Sequence, residues 1–254
     1  NAALIDDEAI RAHYVTFQRG MMAVSRTYQA EILSGVRVAY CGVEGAFAHI
    51  AAKRIYPTEQ ATSFHSFADA YRAAEEGTCH CAVLPIENST AGEVGQVMDL
   101  AFFGPLSING IYDIEVVQNL LAVKGTTMEE VRQVISHPQA LGQCAAYIRR
   151  HGFEPVEAVN TAVAVRQVAE MGRHDIAAIG SDEAARKFGL KKLEAHINES
   201  GNNTTRFAVF SKLPKAPAPS DNQFILLFTV QNEAGSLGEA VAAIGRYGFN
   251  LRAL

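Results

Sequence analysis

The first part of the chain carries an apolar stripe with helical spacing. Between residues 7 and 33, apolar or aromatic side chains recur at steps of three and four, at Ile10, Tyr14, Phe17, Met21, Val24, Tyr28 and Ile32. This spacing keeps one face of a helix apolar over several turns. A single helix does not bury such a stripe by itself, so we expect it to lie against the body of the protein or against its own copy in another subunit.

From residue 36 onward, short apolar segments alternate with glycine-containing turns and with helical patterns. The segments predicted as strands are 36–40, 81–86, 114–123, 131–136 and 175–181, and those predicted as helices are 46–55, 67–76, 139–150, 161–170 and 182–188. Such alternation is typical of parallel sheets with helices on both faces. We therefore predict an α/β fold with two lobes, the first formed by residues 35–113 and 190–213 and the second by residues 114–189.

A proline-rich segment separates this body from the last part of the chain. Residues 214–220 are predicted to form a semi-rigid linker, because proline restricts the backbone and interrupts helices and strands. Beyond it, residues 223–230 are predicted as a strand and residues 236–247 as a helix that ends at Gly248. One strand–helix unit does not form a stable domain by itself, so we expect the natural protein to continue.

Composition and charge narrow the class of protein. The 254 residues are 48% hydrophobic and 19% charged, with a formal net charge of −5. We therefore expect a globular protein with no membrane-spanning segment and no nucleic-acid surface. The chain opens without a basic, apolar leader, which favours a cytoplasmic location. Cysteines at positions 41, 79, 81 and 144 lack the spacing of zinc ligands, so we expect free thiols and predict no metal or other cofactor.

Polar residues cluster where predicted strands lead into helices, the usual ligand-binding edge of α/β folds. The clusters lie at residues 42–47, 85–92, 136–143, 160–161 and 202–207. A tight turn, a helix cap or a solvated face is the structural alternative for each of the first three clusters. At 160–161 an N-cap is the simplest interpretation.

The last cluster contains the highest density of polar groups. Turn chemistry explains one Asn or one Thr there, but not two of each followed by Arg206, whose guanidinium can bind a carboxylate. A solvated turn that leads into an edge strand is the structural alternative for these six residues. The chain shows no Gly-x-Ser-x-Gly motif and no cysteine placed with a histidine base. The residue types therefore predict a cleft that binds a small carboxylated molecule through hydroxyls, amides and one arginine, with chemistry that depends on positioning.

In their order and spacing, these motifs resemble those of the prephenate dehydratase family. The matching segments are Gly42–Phe47, Pro85–Ser89, Ser136–Gln139 with Gln143, and Thr205–Phe207. The resemblance covers about residues 36–212, and four ordered motifs make chance agreement improbable. Ala48 is a departure, because the family commonly has serine or threonine there.

The resemblance implies a two-lobed fold like that of periplasmic binding proteins, with parallel or mixed sheets and helices on both faces. It also implies a carbon–oxygen lyase of phenylalanine biosynthesis, which converts prephenate into phenylpyruvate, carbon dioxide and water. Two alternatives stay open: an arogenate dehydratase, and a non-catalytic two-lobed module that binds or senses a small anion.

Individual residues receive roles from the same resemblance. Thr205 resembles the family's essential threonine and is expected to donate to the leaving hydroxyl. The protonation is expected to be either concerted or supplied by a neighbour such as Glu87 or His137. Asn88, Ser136 and Gln143 are expected to orient the substrate. Substrate binding is assigned to Gly45, Glu87, Ser89, Arg206 and Phe207. For Arg206, a carboxylate clamp and a structural ion pair both stay open.

Both ends of the chain resemble parts of other domains. Residues 1–34 resemble the last helix of an all-helical chorismate mutase, with Ser25 and Gln29 one turn apart. Residues 221–254 resemble the start of an ACT regulatory domain, with a partial phenylalanine site at Gly235, Ser236 and Leu237. A bifunctional, phenylalanine-regulated homodimer or higher oligomer is therefore expected for the full-length protein. For this segment we expect no mutase activity and impaired or absent regulation.

Overall fold

The computed structural model describes residues 5–199, 201, 203–216, 218 and 224–251, and of residues 27 and 30–34 it describes the backbone only. The chain divides into two compact units, Asn1–Lys215 and Ala216–Leu254. The first unit contains two mixed β-sheets with their covering helices, and we call these two halves the first and the second lobe.

The helices and strands follow the order expected of an α/β protein. The helices are α1 (Glu8–Ser34), α2 (Phe47–Ile55), α3 (Phe67–Glu76), α4 (Gly95–Phe103), α5 (Pro138–Gln143), α6 (Ala145–His151), α7 (Thr161–Met171), α8 (Asp182–Phe188) and α9 (Ser236–Arg246). The strands are β1 (Arg37–Cys41), β2 (Gln60–Phe64), β3 (Cys81–Asn88), β4 (Gly92–Glu93), β5 (Ser107–Glu115), β6 (Asn119–Ala122), β7 (Gln133–Ser136), β8 (Glu154–Glu157), β9 (Ile176–Gly180), β10 (Lys191–Glu194) and β11 (Thr204–Ser211).

The first lobe is built on a sheet of order β2-β1-β3-β11-β5, with β4 paired to β3. β1 runs parallel to β2 and β3, whereas β11 runs antiparallel to both of its neighbours. Side chains alternate between the two faces, so each face has its own core. Leu84 and Phe210 pack on one side with α3 and α4, and Val83 and Phe207 on the other side with α2.

The second lobe is built on a sheet of order β10-β6-β9-β7-β8. β6 and β9 are buried along their whole length, which explains why they appear in the sequence as continuous apolar runs. One face packs against α5 and α6, and the other against α7 and α8. Asn160 caps α7 by accepting a hydrogen bond from Val163 N at 2.8 Å, as predicted.

The chain crosses between the lobes twice, after β5 and before β11. The predicted first crossing, near residue 113, lies close to the observed one, whereas the predicted second crossing, near residue 190, is wrong. β5 stays in the first sheet as far as Glu115, and β10 pairs with β6 in the second sheet. β10 contributes the exposed residues Lys191, Lys192 and Glu194 to a sheet edge, so no apolar pattern marked it as part of the second lobe.

Three further predictions need correction. Both sheets are mixed and not purely parallel, since the chain returns to the first lobe as an antiparallel central strand. The predicted helix 139–150 divides into α5 and α6 at Cys144, whose backbone leaves the helical region (φ −113°, ψ 16°). Residues 224–230 form no strand among the described residues, because no neighbouring segment pairs with them there. Gln223, the first residue of that predicted strand, lies outside the described residues.

The predicted bounds of two helices and the predicted free thiols are confirmed. The helices at 67–76 and 182–188 have the predicted bounds, and α8 ends at Gly189 in the left-handed conformation. The four cysteines are free thiols. Within the described part of the chain, no helix is both long enough and apolar enough to span a membrane.

Candidate active site

The candidate site lies where the end of β3 meets the start of β11. The two strands are antiparallel, and their register pairs Asn88 with Thr205 and Glu87 with Arg206. Because neighbouring side chains of a strand point to opposite faces, Asn88 and Thr205 lie on one face of the sheet and Glu87 and Arg206 on the other. The register therefore divides the predicted site residues into two groups.

Asn88 organises the turn that follows β3. Its Oδ1 accepts hydrogen bonds from Thr90 N at 3.0 Å, from Ala91 N at 3.1 Å and from Thr90 Oγ1 at 2.6 Å. An asparagine that accepts from backbone amides two and three residues ahead stabilises a tight turn. The side chain is 8% exposed, so both ends of its amide are fixed in place.

The other end of the Asn88 amide faces Thr205. Asn88 Nδ2 donates to Thr205 Oγ1 at 2.8 Å and to Asn203 Oδ1 at 3.2 Å. An amide NH₂ group can only donate, so the Thr205 oxygen accepts and its own O–H hydrogen points elsewhere. Within the described part of the chain, that O–H has no acceptor. The geometry thus presents a half-buried hydroxyl as a donor.

Helix α5 brings amides from the second lobe to the same place. Gln143 Nε2 donates to Thr90 Oγ1 at 3.0 Å, and Gln139 Nε2 approaches Asn88 Oδ1 at 3.4 Å. Asn203 Nδ2 donates to Gln143 Oε1 at 2.9 Å. Gln139 and Gln143 are four residues apart in α5 and share a helical face. Asn88, Thr205 and Gln143 therefore come together, as expected.

Ser136 and His137 have structural contacts. Ser136 is completely buried, and its hydroxyl donates to Ile179 O at 2.7 Å, which joins β7 to β9. The structure does not bring its side chain to the Asn88–Thr205 pair. His137 is the N-cap of α5, and its Nδ1 accepts from Gln139 N at 3.2 Å.

Arg206 and Glu87 pair with each other on the face opposite Thr205. Arg206 Nη1 lies 2.7 Å from Glu87 Oε2, and Arg206 Nε lies 3.0 Å from Asp113 Oδ1. Both carboxylates belong to strands next to β11 in the sheet. Of the two interpretations of Arg206, the geometry favours the structural ion pair. It also separates Glu87 from the Thr205 hydroxyl to which it was expected to supply protons.

The remaining residues assigned to substrate binding have different surroundings. Phe207 is 2% exposed and belongs to the core of the first lobe. Ser89 N donates to Thr204 O at 2.9 Å, and Ser89 Oγ accepts from Thr204 N at 3.0 Å, so Ser89 extends the pairing of the two strands. Gly235, Ser236 and Leu237, which were expected to form a partial phenylalanine site, lie in the second unit at the start of α9. Asn202, a member of the polar cluster at 202–207, lies outside the described residues.

Gly45 lies at a direct contact between the lobes. Its φ of +91° suits glycine, and an added Cβ would lie 3.4 Å from Ala184 of α8. Ser181 Oγ donates to Gly45 O at 3.0 Å, and Lys187 forms an ion pair with Glu44. That ion pair, mainly through its hydrogen bond, lowers the pKa of Glu44.

His49 supports the Gly45 turn from within the first lobe. Its Nδ1 accepts a hydrogen bond from Gly45 N at 3.2 Å, which requires that nitrogen to be unprotonated. Burial lowers the pKa of His49 and so favours the neutral ring. Ala48 packs next to this turn, against the core that contains Phe207.

Sequence reasoning missed two contributors to the site. Gln118 Nε2 donates to Gln143 Oε1 at 3.3 Å from the first crossing between the lobes. Asn203 was included only as a member of the polar cluster at 202–207, yet it links Asn88 to Gln143. The available signal for Gln118 was two adjacent amides, Gln118 and Asn119, inside the apolar run from Ile114 to Val123. No group of three metal-binding side chains occurs among the described residues.

Comparisons with known proteins agree with this architecture. The family model described as prephenate dehydratase matches residues 38–215. Arogenate dehydratase/prephenate dehydratase 2 of Arabidopsis thaliana is 35% identical over 219 residues, which are 86% of this chain and 58% of that protein. The chain thus spans less than two thirds of the length of that relative.

Two further relatives cover more of their own length. The bifunctional N-acyl-homoserine lactone acylase/prephenate dehydratase of Komagataeibacter europaeus is 32% identical over 87% of this chain and 80% of that protein. The prephenate dehydratase of Arthrobacter aurescens, solved in complex with L-Phe, superposes with a TM-score of 0.73 at 23% identity. That match covers 86% of this chain and 75% of the other. From the family match and these identities, the chain belongs to the prephenate dehydratase family.

Proposed function

We propose that this chain catalyses the decarboxylating dehydration of prephenate to phenylpyruvate. The observation that carries the proposal is the hydrogen bond from Asn88 Nδ2 to Thr205 Oγ1, which leaves the threonine O–H free to donate. It occurs in a chain whose residues 38–215 match the prephenate dehydratase model. The plant and bacterial relatives described above are named as dehydratases of this kind, which supports the same activity.

The reaction needs a positioned donor more than a nucleophile. As the bond from the ring to its carboxylate breaks, carbon dioxide leaves and the electron pair enters the ring. The ring becomes aromatic as the hydroxyl departs on the opposite carbon, and that hydroxyl takes up one proton to leave as water. A donor aimed at the departing oxygen stabilises the charge that develops there. We assign this role to Thr205.

Gln143 and Asn88 would position the donor and the substrate. In the structure, Gln143 Nε2 donates to Thr90 Oγ1, and Gln139 Nε2 approaches Asn88 Oδ1. Amide donors of this kind can exchange those partners for the carboxylates or the keto group of a substrate. Arg206 and Glu87 would act through the stability of the sheet and not on the substrate.

His137 is our candidate for the proton supply. His137 caps the N-terminus of α5, and Gln139 in the first turn of that helix reaches Asn88. His137 therefore lies at the end of α5 that faces the Asn88–Thr205 pair. A threonine is too weak an acid to ionise unaided, so the proton that it donates must be replaced during the reaction. We therefore propose a relay in which Thr205 donates its proton to the leaving oxygen while His137 supplies a new proton to Thr205.

Substitution of Thr205 tests the assignment directly. Thr205→Val keeps the shape of the side chain and removes the O–H, so we expect kcat to fall on the order of 100-fold or more. Thr204→Val is the matched control, since its side chain faces the opposite side of the same strand, and we expect less than about a twofold change. Full turnover by a folded Thr205→Val protein would reject the role of Thr205.

The choice between prephenate and arogenate is a proposal that the same assay decides. Prephenate carries a keto group on its side chain, whereas arogenate carries an ammonium group. The donors Gln139 Nε2 and Gln143 Nε2 favour an acceptor such as the keto oxygen. We expect kcat/KM to be higher for prephenate when phenylpyruvate and phenylalanine are measured separately. A protein that binds either compound without turnover would instead be a binding module.

The segments on either side of the two lobes resemble parts of other domains, and we make one proposal for each. We infer that residues 221–254 belong to an ACT-type unit, supported by the turn with Gly235 in the left-handed conformation before α9. We infer that α1 derives from a chorismate mutase-like domain, supported by the hydrogen bond from Gln29 Nε2 to Ser25 Oγ at 3.0 Å. Phenylalanine as an effector, a homodimer and a cytoplasmic location stay predictions for the full-length protein. The exposed side chains of Phe17 and Tyr28 on α1 support association.

A further inference from the structure

Gln118 is a buried polar residue for which the motifs of the family give no role. It lies in the crossing between β5 and β6, and it is 2% exposed. Its backbone is fixed by the second crossing, because Gln118 N donates to Asn198 Oδ1 at 3.2 Å and Gln118 O accepts from Ile197 N at 2.9 Å. The side chain therefore extends from the point where the two connections between the lobes meet.

In the network of side-chain amides that includes Gln118, the donor and the acceptor of each hydrogen bond are determined by the neighbouring bonds. The backbone N–H groups of Thr90 and Ala91 can only donate, so they fix the oxygen of the Asn88 amide on their side. The NH₂ group of Asn88 must then face the Oδ1 of Asn203. Asn203 in turn donates its NH₂ group to Gln143 Oε1. Each amide thus has a determined orientation, starting from two backbone groups that cannot reverse.

Gln118 ends this chain of amides. Its Nε2 donates to Gln143 Oε1, the oxygen that also accepts from Asn203. With two donors on its oxygen, Gln143 directs its own NH₂ group toward Thr90 and the cleft. A reversed Gln143 would bring its NH₂ group against the NH₂ groups of both Asn203 and Gln118.

The other end of the Gln118 amide is unsatisfied. Its Oε1 is buried and makes no hydrogen bond within the described part of the chain. A buried polar atom without a partner destabilises the folded state. Rotating the amide would place this oxygen against Gln143 Oε1 and lose the existing bond as well. The fold thus keeps a destabilising group, and among the described residues the hydrogen bond of the Gln118 side chain is the one to Gln143.

We propose that Gln118 is a positioning residue that sets the orientation of the Gln143 amide, so that Gln143 presents its NH₂ group to the substrate. The kinetic consequence rests on the proposed function, whereas the orientation itself does not. Gln118 touches no substrate in this scheme and acts only through Gln143.

If Gln118 orients Gln143, a substitution of Gln118 should have opposite effects on thermal stability and on activity. Gln118→Leu removes the donor and also the unsatisfied oxygen, so we expect an unchanged or higher Tm. We expect kcat/KM to fall about fivefold, because one of two donors to Gln143 Oε1 is lost. Gln133→Leu is the matched control: Gln133 donates to Glu154 Oε2 at the far edge of the second sheet, and we expect activity within about twofold of wild type.

Gln118→Glu provides a pH-dependent readout. An ionised carboxylate is only an acceptor and opposes Gln143 Oε1, so we expect kcat/KM to fall about 30-fold near pH 8. A protonated carboxyl group can donate, and burial favours this neutral form, so the ratio of variant to wild-type activity should rise on acidification. A merely structural role for Gln118 would lower Tm and activity together and leave that ratio independent of pH.

The orientation is measured independently by ¹⁵N NMR of the side-chain amides. The Gln143 NH₂ signals are identified by their loss in Gln143→Glu, and we expect them to shift in Gln118→Leu but not in Gln133→Leu. Unshifted signals together with wild-type kcat/KM in Gln118→Leu would overturn the proposal. If the wild-type chain turns over neither prephenate nor arogenate, the proposed function fails, while the NMR comparison still decides the role of Gln118.

Discussion

At the scale of single residues, the strand register decides which polar groups act together. The sequence singled out Asn88, Gln143 and Thr205, because amides and hydroxyls at strand ends have few purely structural explanations in combination, and the fold brings these side chains together. It could not separate Thr205 from Arg206, since the two are adjacent in sequence yet lie on opposite faces of β11. It also could not show that Ser136 is buried against Ile179, because a hydroxyl at a strand end has the same appearance whether it faces a ligand or a neighbouring strand.

The position of Arg206 on the face opposite Thr205 changes the expected effect of substituting it. As a clamp for a substrate carboxylate, its loss would mainly raise KM. As the partner of Glu87 and Asp113, its loss should mainly lower the free energy of unfolding. We expect Arg206→Leu to cost about 1–2 kcal/mol in urea unfolding, because its side chain is only 20% exposed and two carboxylates lose their partner.

The control for this measurement is Arg173→Leu. Arg173 also binds a carboxylate, that of Asp175, but it is 57% exposed, so we expect a change of less than about 0.5 kcal/mol. KM for prephenate should stay within about twofold of wild type in folded Arg206→Leu. A large rise in KM with unchanged stability would restore the carboxylate clamp.

At the scale of helices and strands, predictions succeeded where one element has one apolar face. α3 and α8 have clear caps and left-handed glycines at their ends, and their bounds were predicted correctly. β2, α4, β8 and β10 were not predicted. β2 and β8 are short and alternate polar with half-buried residues, and β10 is a charged edge strand. Such elements depend on the neighbours with which they pair, which the local sequence does not specify.

Ser181, at the N-terminus of α8, joins the helix cap to a contact between the two lobes. Ser181 Oγ accepts from Ala184 N at 3.1 Å as the helix cap and donates to Gly45 O across the lobes. Ser181→Ala therefore removes two hydrogen bonds from a residue that is 3% exposed. We expect a loss of about 2 kcal/mol in the free energy of unfolding, from the cap and from the buried Gly45 carbonyl.

A cap without a lobe contact is the appropriate comparison. Asn160→Ala removes the bond to Val163 N at the start of α7, and we expect it to cost about 1 kcal/mol. Small-angle X-ray scattering should show a larger radius of gyration for Ser181→Ala than for Asn160→Ala. Equal stability losses and equal radii would show that Gly45 and Ser181 do not hold the lobes together.

The Gly45 turn should also make stability depend on pH. Burial lowers the pKa of His49 below its unfolded value, so the unfolded chain takes up a proton at this site before the folded chain does. The free energy of unfolding should therefore decrease as the pH falls through about 6.5, the ordinary range of histidine. Protonation would also remove the acceptor for Gly45 N.

His49→Asn isolates this contribution. Asparagine keeps an acceptor near the position of Nδ1 but does not titrate, so the loss of stability between pH 7.5 and 5.5 should be smaller than in wild type. Urea unfolding at the two pH values measures the difference. If both proteins lose the same free energy over this interval, groups other than His49 are responsible.

At the scale of the whole molecule, all of the described side chains of the proposed site belong to the first compact unit. That unit ends in an ordered way: Lys215 N donates to Asn109 Oδ1 at 2.8 Å, and Asn109 Nδ2 donates to Leu213 O at 2.7 Å. These bonds fasten the last residues of the unit to β5. A chain that ends after Lys215 should therefore fold, whereas removal of residues 212–215 would leave Asn109 without these partners.

We expect the chain that ends at Lys215 to keep its turnover of prephenate within about twofold and its Tm within about 3 °C, because both sheets and the described side chains of the proposed site belong to the first unit. A chain that ends at Ser211 is the matched comparison and should melt at a lower temperature. Differential scanning calorimetry and the phenylpyruvate assay on both proteins test the division of the molecule. If truncation after Lys215 abolished turnover while the fold persisted, residues 216–254 would contribute to catalysis and the site would not be confined to the two lobes.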